Sequence, residues 1–425
     1  MGQIEFGQKK VDQQQFIDAF STLEHFGSGR SNVELDSQWA LGIHQFDDRP
    51  FVQSAKRTSD LDEPIVIADA ILDNREQLAQ KLEIFPGELE SLSDAQLIKA
   101  SFQKWGEKCV DHLSGDYAFV ALSPQEAKLT LFRDHIGSRP LFWFRREHTI
   151  GFGTALEGVI KVGGYSWRID ESVVAEYLAF PITPVSKPFF EGVQSVPPAS
   201  IVRIYPGGED TIQWWSPNTR TICRPVDEAD AVALVRGKIE EAVTTRCDTS
   251  RPIGCHLSGG IDSTAVAMIA GLVLEKRSRK IDRAYTWSPD SDNKYPISSG
   301  RDERRYITSL ALKLGAPLTF GKSTLNNILH QFTRPMEFES TLGVVDEHPI
   351  TLEAGIHGTG VFLSGWGGDE AFSPHGHGVI GYYLISGKWR RALRFARNRY
   401  NSANKLKFLT KILWRELLHP LLPTF

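Results

Sequence analysis

Two glycine-rich runs in this sequence carry acids: Ser258-Gly259-Gly260-Ile261-Asp262-Ser263 and Ser364-Gly365-Trp366-Gly367-Gly368-Asp369-Glu370. Adjacent glycines let a backbone approach an anion closely, and the hydroxyls of Ser258 and Ser263 are donors for its oxygens. The carboxylate of Asp262 would repel a bare phosphate, so the run makes chemical sense once a Mg²⁺ joins it. Asp369 would give that ion a second ligand. Taken singly, a Ser-Gly-Gly run is an ordinary turn and an acid among glycines is solvated. Position favours the site, because each run follows a short apolar strand, Ile253 to Leu257 and Val361 to Leu363. The first run also opens a helix, Asp262 to Glu275, whose positive end would face the anion. A Walker-type cradle is excluded, since GxxxxGK followed by Ser or Thr occurs nowhere in the chain.

The elements that must position these runs alternate. Val226 to Arg246 has helical spacing, Ile281 to Trp287 reads as a strand, Asp302 to Leu314 as a helix ending at Gly315, and Pro317 to Phe320 as a strand. Such alternation predicts a parallel sheet with helices on both faces, and ligands in such sheets sit at the carboxyl ends of the strands. The first half differs. Pro64 to Ile71, Asp116 to Leu122, Leu129 to Phe132 and Ile201 to Ile204 are strand-like. Asn74 to Glu83 and Ser93 to Trp105 are helical, the latter with Ser93 and Asp94 as caps. A polar connector at Pro217 to Pro225 separates the halves, giving expected domains at residues 1–216 and 226–425, α+β then α/β.

A length of 425 residues fits at least two domains, and a net charge of -4 speaks against a whole-surface nucleic-acid binder. No apolar run reaches the ~20 residues of a bilayer span, and MGQIEFGQKK lacks a signal-peptide layout, so a cytoplasmic protein is expected. Cys109, Cys223, Cys247 and Cys255 are too sparse for a disulfide framework and form no CxxC pair. Glu303 and Tyr306, one helical turn apart, are candidates to border the crevice, or else a solvated helix surface. Glu337 and Glu339, ahead of the helix-like Asp346 to Ala354, are candidate carboxylate bases or ordinary surface acids. His375 and His377 lack further ligands nearby. Lys388 to Lys411 is a basic patch, and within it Lys388 to Arg399 is an amphipathic stretch, either a solvated helix face or a docking surface for a leader peptide or an acidic partner.

Ser-Gly-Gly-Ile-Asp-Ser together with Leu363-Ser364-Gly365-Trp366-Gly367-Gly368-Asp369-Glu370 resembles the asparagine synthetase superfamily of ATP-pyrophosphatase enzymes. Ser114 to Phe119 and Arg133 to Leu141 resemble the glutaminase-type domain that precedes the synthetase domain there. The resemblance implies an Ntn-type sandwich followed by an ATP-pyrophosphatase domain that adenylates a carboxylate, releases pyrophosphate and lets an amine attack. It places ATP on Leu257, Ser258, Gly259, Gly260, Asp262, Ser263, Ser364 and Gly365, and Mg²⁺ on Asp262 and Asp369. Glu303, Tyr306 and Glu337 stay as candidates for catalytic work.

Departures narrow this reading. Family glutaminases use an N-terminal cysteine exposed by Met removal, whereas position 2 here is Gly2. The glutamine-binding Asn-Gly-Glu is Asn74-Arg75-Glu76. Glutaminase activity is therefore expected to be absent. Trp366 stands where asparagine synthetases carry a glutamate and β-lactam synthetases a tyrosine; it has no proton to exchange at neutral pH. In this it is similar to lasso-peptide macrolactam synthetases, which join a peptide's own α-amine to its Asp or Glu side chain and need no ammonia. The resemblance then implies a precursor peptide as substrate and a leader peptidase as partner, without nucleic acid or membrane. A late family lysine is not found, which implies a truncated frame, a second polypeptide, or a substitute such as Lys405, Lys407 or Lys411. A small-substrate amide synthetase and a non-catalytic ATP- or peptide-binding scaffold remain as alternatives.

Overall fold

The computed structural model describes residues 1–7, 9–24, 31–44, 63–179, 187–217, 227–288, 303–321, 324–326, 329, 343–368 and 379–400. The chain divides into two compact units, the first built on Met1–Val226 and the second on Asp227–Ile328 with Gly343–Phe425.

In the first unit the described strands are β1 (Gly2–Glu5), β2 (Ser31–Leu35), β3 (Trp39–His44), β4 (Ile65–Leu72), β5 (Gly115–Ser123), β6 (Lys128–Arg133), β7 (Phe142–Arg146), β8 (Thr149–Gly153), β9 (Val193–Ser195), β10 (Ser200–Tyr205) and β11 (Gly208–Gln213). They form two antiparallel sheets, ordered β2-β3-β1-β8-β7-β9 and β11-β10-β6-β5-β4. Alternation along β5 shows how the layers stack. Ala118, Val120 and Leu122 point toward Ile4, Leu41, Trp143 and Phe152 of the other sheet. Tyr117, Phe119 and Ala121 point the opposite way, toward Leu78, Leu97 and Ile98 of helices α2 (Arg75–Leu82) and α3 (Asp94–Trp105). Phe142 and Phe144 on the far face of the first sheet meet Phe16 and Phe20 of α1 (Gln13–Ser21) and Val159 and Ile160 of α4 (Leu156–Lys161). The result is a four-layer helix-sheet-sheet-helix sandwich, in agreement with the α+β expectation. Helix α3 is capped by Ser93 and not by Asp94: Ser93 Oγ accepts from the Gln96 amide at 3.2 Å and Gln96 Oε1 accepts from the Ser93 amide at 2.8 Å, a capping box, whereas Asp94 is the first helical residue and its carboxylate pairs with Arg75.

The Arg133-to-Pro140 run braces this unit. Asp134 is 1% exposed, and its carboxylate accepts from the amides of Tyr117, Ile136, Ser138 and Arg139 at 3.0–3.2 Å. Arg133 donates to the carbonyls of Gly137, Arg139 and Val196 at 2.7–2.8 Å. Asp134→Ala removes the shared acceptor of one buried and three part-buried amides, so it is expected to lower the unfolding free energy of this unit by roughly 2–4 kcal/mol. Urea unfolding followed by tryptophan fluorescence checks this.

The second unit holds a parallel sheet of β12 (Ile253–His256), β13 (Arg283–Thr286), β14 (Leu318–Phe320) and β15 (Val361–Leu363), ordered β14-β13-β12-β15. Ile253, Cys255, Ala284 and Leu363 face helices α5 (Glu228–Arg246), α6 (Ile261–Lys276) and α7 (Arg304–Leu314) through Val243, Ala267, Ala270, Leu274, Ile307 and Ala311. On the opposite face Tyr285 and Phe362 meet Ile350 and Ala354 of α8 (Gly343–Ile356). Helices cover both faces, as a parallel sheet requires. A helical pair, α9 (Val379–Ile385) and α10 (Trp389–Tyr400), packs Ile380 against Ala392 and Ala396. Among the described residues no helix is long and apolar enough to cross a membrane.

Candidate functional site

From β12 the chain runs through α6 to β13 and through α7 to β14, stepping outward in one direction. It then returns through α8 to place β15 on the other side of β12. The sheet therefore reverses direction between β12 and β15, and ligands of open α/β sheets bind in the crevice at the carboxyl ends of the strands beside such a reversal. Both glycine-rich runs begin there.

The first run is a self-braced loop. Ser258 Oγ and Ser263 Oγ are 2.9 Å apart, Ser263 Oγ accepts from the Ser258 amide at 3.3 Å, and Ser258 Oγ accepts from the Gly260 amide at 3.2 Å. Both hydroxyls thus take part in shaping the loop, and the backbone amides at the start of α6 are further donors beside it. Leu257 lies in the core and its amide donates to the Tyr285 carbonyl at 2.8 Å, so only its backbone can border the crevice.

The second run lies directly against the first. A methyl carbon on Gly365 would stand 2.4 Å from the Ser263 amide nitrogen, and one on Gly368 would stand 2.4 Å from Asp262 Cγ. Glycine at both places is what lets Ser364 to Gly368 reach the acid-bearing turn of α6. Asp369 and Glu370 follow at once but lie outside the described residues, as does Glu337. Among the described residues no group of three or more His, Cys, Asp or Glu side chains gathers as a metal cage. A Mg²⁺ at Asp262 would be shared with phosphate oxygens, which suits an ion that keeps few protein ligands.

Glu303 is brought to the loop: a Cβ on Gly259 would come within 3.0 Å of Glu303 Oε2. Tyr306, one turn further along, is 65% exposed. A residue that sequence reasoning passed over is Glu347 on α8, whose Oε1 accepts from the Trp366 indole N–H at 3.2 Å. Its only signal was its place one turn ahead of Ile350, the residue that seats α8 on the sheet. At the end of β12, His256 is buried against the Trp287 ring at 4.2 Å, and burial lowers its pKa to about 4, so the imidazole is neutral.

In the first unit, a side chain at position 2 would collide with Phe152 Cζ at 2.2 Å and Leu41 Cδ2 at 2.8 Å. Asn74 spends both ends of its amide, donating to the His112 carbonyl at 2.8 Å and accepting from the Ser114 amide at 3.0 Å. The Arg75 guanidinium pairs with Asp94 and donates to the carbonyls of Leu89 and Leu92 at 3.0 and 2.6 Å. Burial pushes the Cys109 thiol up to about 12.

Comparison with known proteins matches the glutamine amidotransferase domain family over residues 2–215 and the asparagine synthase family over residues 234–420. Glutamine-hydrolyzing asparagine synthetase 3 of Bacillus subtilis (strain 168) is 27% identical over 301 residues, which is 69% of this chain and 48% of that protein. The amidase chry2 of Gibberella zeae is 25% identical over 307 residues, 67% of this chain and 43% of that one. A solved glutamine phosphoribosylpyrophosphate amidotransferase from B. subtilis, complexed with ADP and GMP, aligns at 13% identity with a TM-score of 0.36 over 80% of this chain and 94% of its own. The chain thus spans about half the length of the curated relatives it matches. With an amidotransferase-type unit ahead of an asparagine synthase unit, it belongs to the asparagine synthetase superfamily.

Proposed function

We propose that this chain is an ATP-dependent amide synthetase that activates a carboxylate as its acyl-adenylate and passes the acyl group to an amine. The observation that carries the reading is the seating of Gly365 and Gly368 on Asp262 and Ser263, which joins two anion-type loops at the reversal of a parallel sheet. Amides at the start of α6, aided by the positive end of that helix, hold the phosphates. Asp262 and Asp369 would hold Mg²⁺, which when bound would supply positive charge to neutralise the phosphates. His256, being neutral and packed on Trp287, adds no charge beside the loop.

The amine, in this reading, is not ammonia from glutamine. Gly2 leaves no room for a nucleophilic side chain, Asn74 is engaged with backbone, and Arg75 serves as a brace. Cys109 stays a thiol near neutral pH and is no substitute nucleophile. Trp366, in place of a loop acid, fits an amine delivered by the substrate itself. We therefore assign the substrate as a precursor peptide whose Asp or Glu side chain is adenylated and whose own α-amine closes a lasso-type macrolactam. A leader peptidase works upstream, and the exposed Arg390, Arg391 and Arg394 of α10 offer it, or an acidic leader, a basic face.

Incubation with ATP, Mg²⁺ and a linear core peptide is expected to give a product lighter by one water and one AMP per ring, with added glutamine neither consumed nor stimulating. ADP as product, or AMP formed without peptide, overturns the reading. Pyrophosphate exchange driven by free amino acids instead of peptides moves the assignment to a small-substrate amide synthetase. Tight nucleotide binding with no exchange moves it to a scaffold.

A further inference from the structure

Attack on an acyl-adenylate needs an amine with a free lone pair, yet an α-amine is largely an ammonium ion at neutral pH. Some group in the crevice must take the proton. Of the candidates drawn from sequence, Glu337 and Glu339 lie outside the described residues, and the other two are poorly placed. Glu303 lies against Gly259, on the phosphate-holding side, and Tyr306 stands in solvent. Asp262 is assigned to Mg²⁺ in the reading above. Trp366 has no proton to exchange, but its indole N–H holds Glu347 Oε1 at 3.2 Å. The backbone of the Trp366 loop is in turn seated on Asp262 and Ser263 through Gly365 and Gly368.

From this arrangement we infer that Glu347 is the proton acceptor for the attacking amine, with Trp366 fixing the direction of its carboxylate; the inference rests on the amide-synthetase reading above. Helix α8 lies in the crossover from β14 to β15, edge strands that run parallel in one sheet, so it runs back along the sheet and its early residues lie toward the carboxyl ends of the strands. Glu347 is in its first turns, three residues before Ile350 is clamped against Tyr285 and Phe362, so a packed helix face supports it. Trp366 is 67% exposed, so the contact between its indole and Glu347 lies at the surface of the crevice. In the reaction the ammonium passes one proton to Glu347 and the nitrogen lone pair forms the C–N bond. The C–O bond to AMP breaks with its electron pair going to AMP, the second nitrogen proton passes to solvent, and protonated Glu347 returns its proton to water. A carboxylate acts here as a general base whose contribution is about 10²–10⁴-fold.

The test separates this step from adenylation. Full-length protein, ATP, Mg²⁺ and a synthetic linear peptide with a free α-amine and one Asp or Glu side chain are used, the peptide being one that supports pyrophosphate exchange on the unaltered protein. Three readouts are taken: peptide-dependent pyrophosphate exchange, ring formation, and hydroxamate formation with hydroxylamine, whose nitrogen is already unprotonated at neutral pH. Glu347→Gln is expected to cut ring formation by about 10²-fold or more while exchange and hydroxamate formation persist. Glu347→Asp should recover part of the loss, and Trp366→Phe, which keeps the ring but removes the N–H, should give a smaller loss in ring formation alone. Ring formation by Glu347→Gln equal to that of the unaltered protein overturns the inference, as does a parallel fall in all three readouts. Absence of exchange in the unaltered protein with every peptide tried overturns instead the amide-synthetase reading on which it stands.

Discussion

Asp262→Ala is expected to abolish substrate-dependent pyrophosphate exchange, lowering it by about 10³-fold or more, while the protein stays folded. The residue sits in the first turn of α6, where peptide dipoles and open amides favour an anion, and its own carboxylate would repel a phosphate brought there. In the proposed reading a cation shared between Asp262 and the phosphates makes the combination favourable, so removing the carboxylate would remove a ligand of that cation. Asp262→Asn separates charge from shape. It preserves the contact with the Gly368 backbone and should lose nearly as much activity as alanine, since an amide oxygen is a far weaker partner for Mg²⁺. Raising Mg²⁺ should recover part of the asparagine variant's exchange. Exchange within about tenfold of the unaltered protein in both variants would remove Asp262 from the metal site.

How much of this was open to reading in the sequence follows from where the signals lie. Local periodicity marked β5, β6, β10, α3, α6 and α7, because their apolar residues repeat at strand or helix spacing. The capping box at Ser93 was legible for the same reason: its parts are three residues apart. Strand β1 was not. It is wholly buried, yet Gln3 and Glu5 occupy half of it; Gln3 Nε2 donates to Glu5 at 3.0 Å and Thr149 Oγ1 donates to Glu5 at 2.8 and 2.9 Å, while Gln3 Oε1 is buried without a partner. A polar pair that finds partners 144 residues away leaves no apolar pattern to detect. The two site loops could each be recognised by composition, and their meeting could be suspected. That Gly365 and Gly368 are the residues on which they meet depends on the order β13-β12-β15, which is long-range strand pairing. Glu303 and Glu347 show the same limit. Each is an ordinary helix-start acid until the sheet brings one to Gly259 and the other to Trp366.

Gly365→Ala is expected to lower exchange and product formation by about 10²-fold, and a comparison with Gly367→Ala shows why the cause is contact and not loop flexibility. At Gly365 the added carbon would meet backbone: the Ser263 amide nitrogen at 2.4 Å, the Asp262 carbonyl carbon at 2.8 Å and Ser263 Cα at 2.9 Å. No rotamer relieves such a clash, so the second loop must withdraw from the start of α6 by on the order of 1 Å, a misplacement that typically costs reactions of this kind about 10²-fold. At Gly367 the backbone has φ of +84°, where alanine is strained by about 1–2 kcal/mol, but nothing lies within 4 Å of the added carbon. That substitution taxes the loop itself and leaves its seat on Asp262 and Ser263 untouched. Steady-state exchange of the two variants, measured beside their thermal unfolding midpoints, should therefore diverge: the larger activity loss at Gly365, with both proteins folded at the assay temperature. Equal losses, or a larger one at Gly367, would mean that the conformation of the second loop, and not its contact with the first, governs the site.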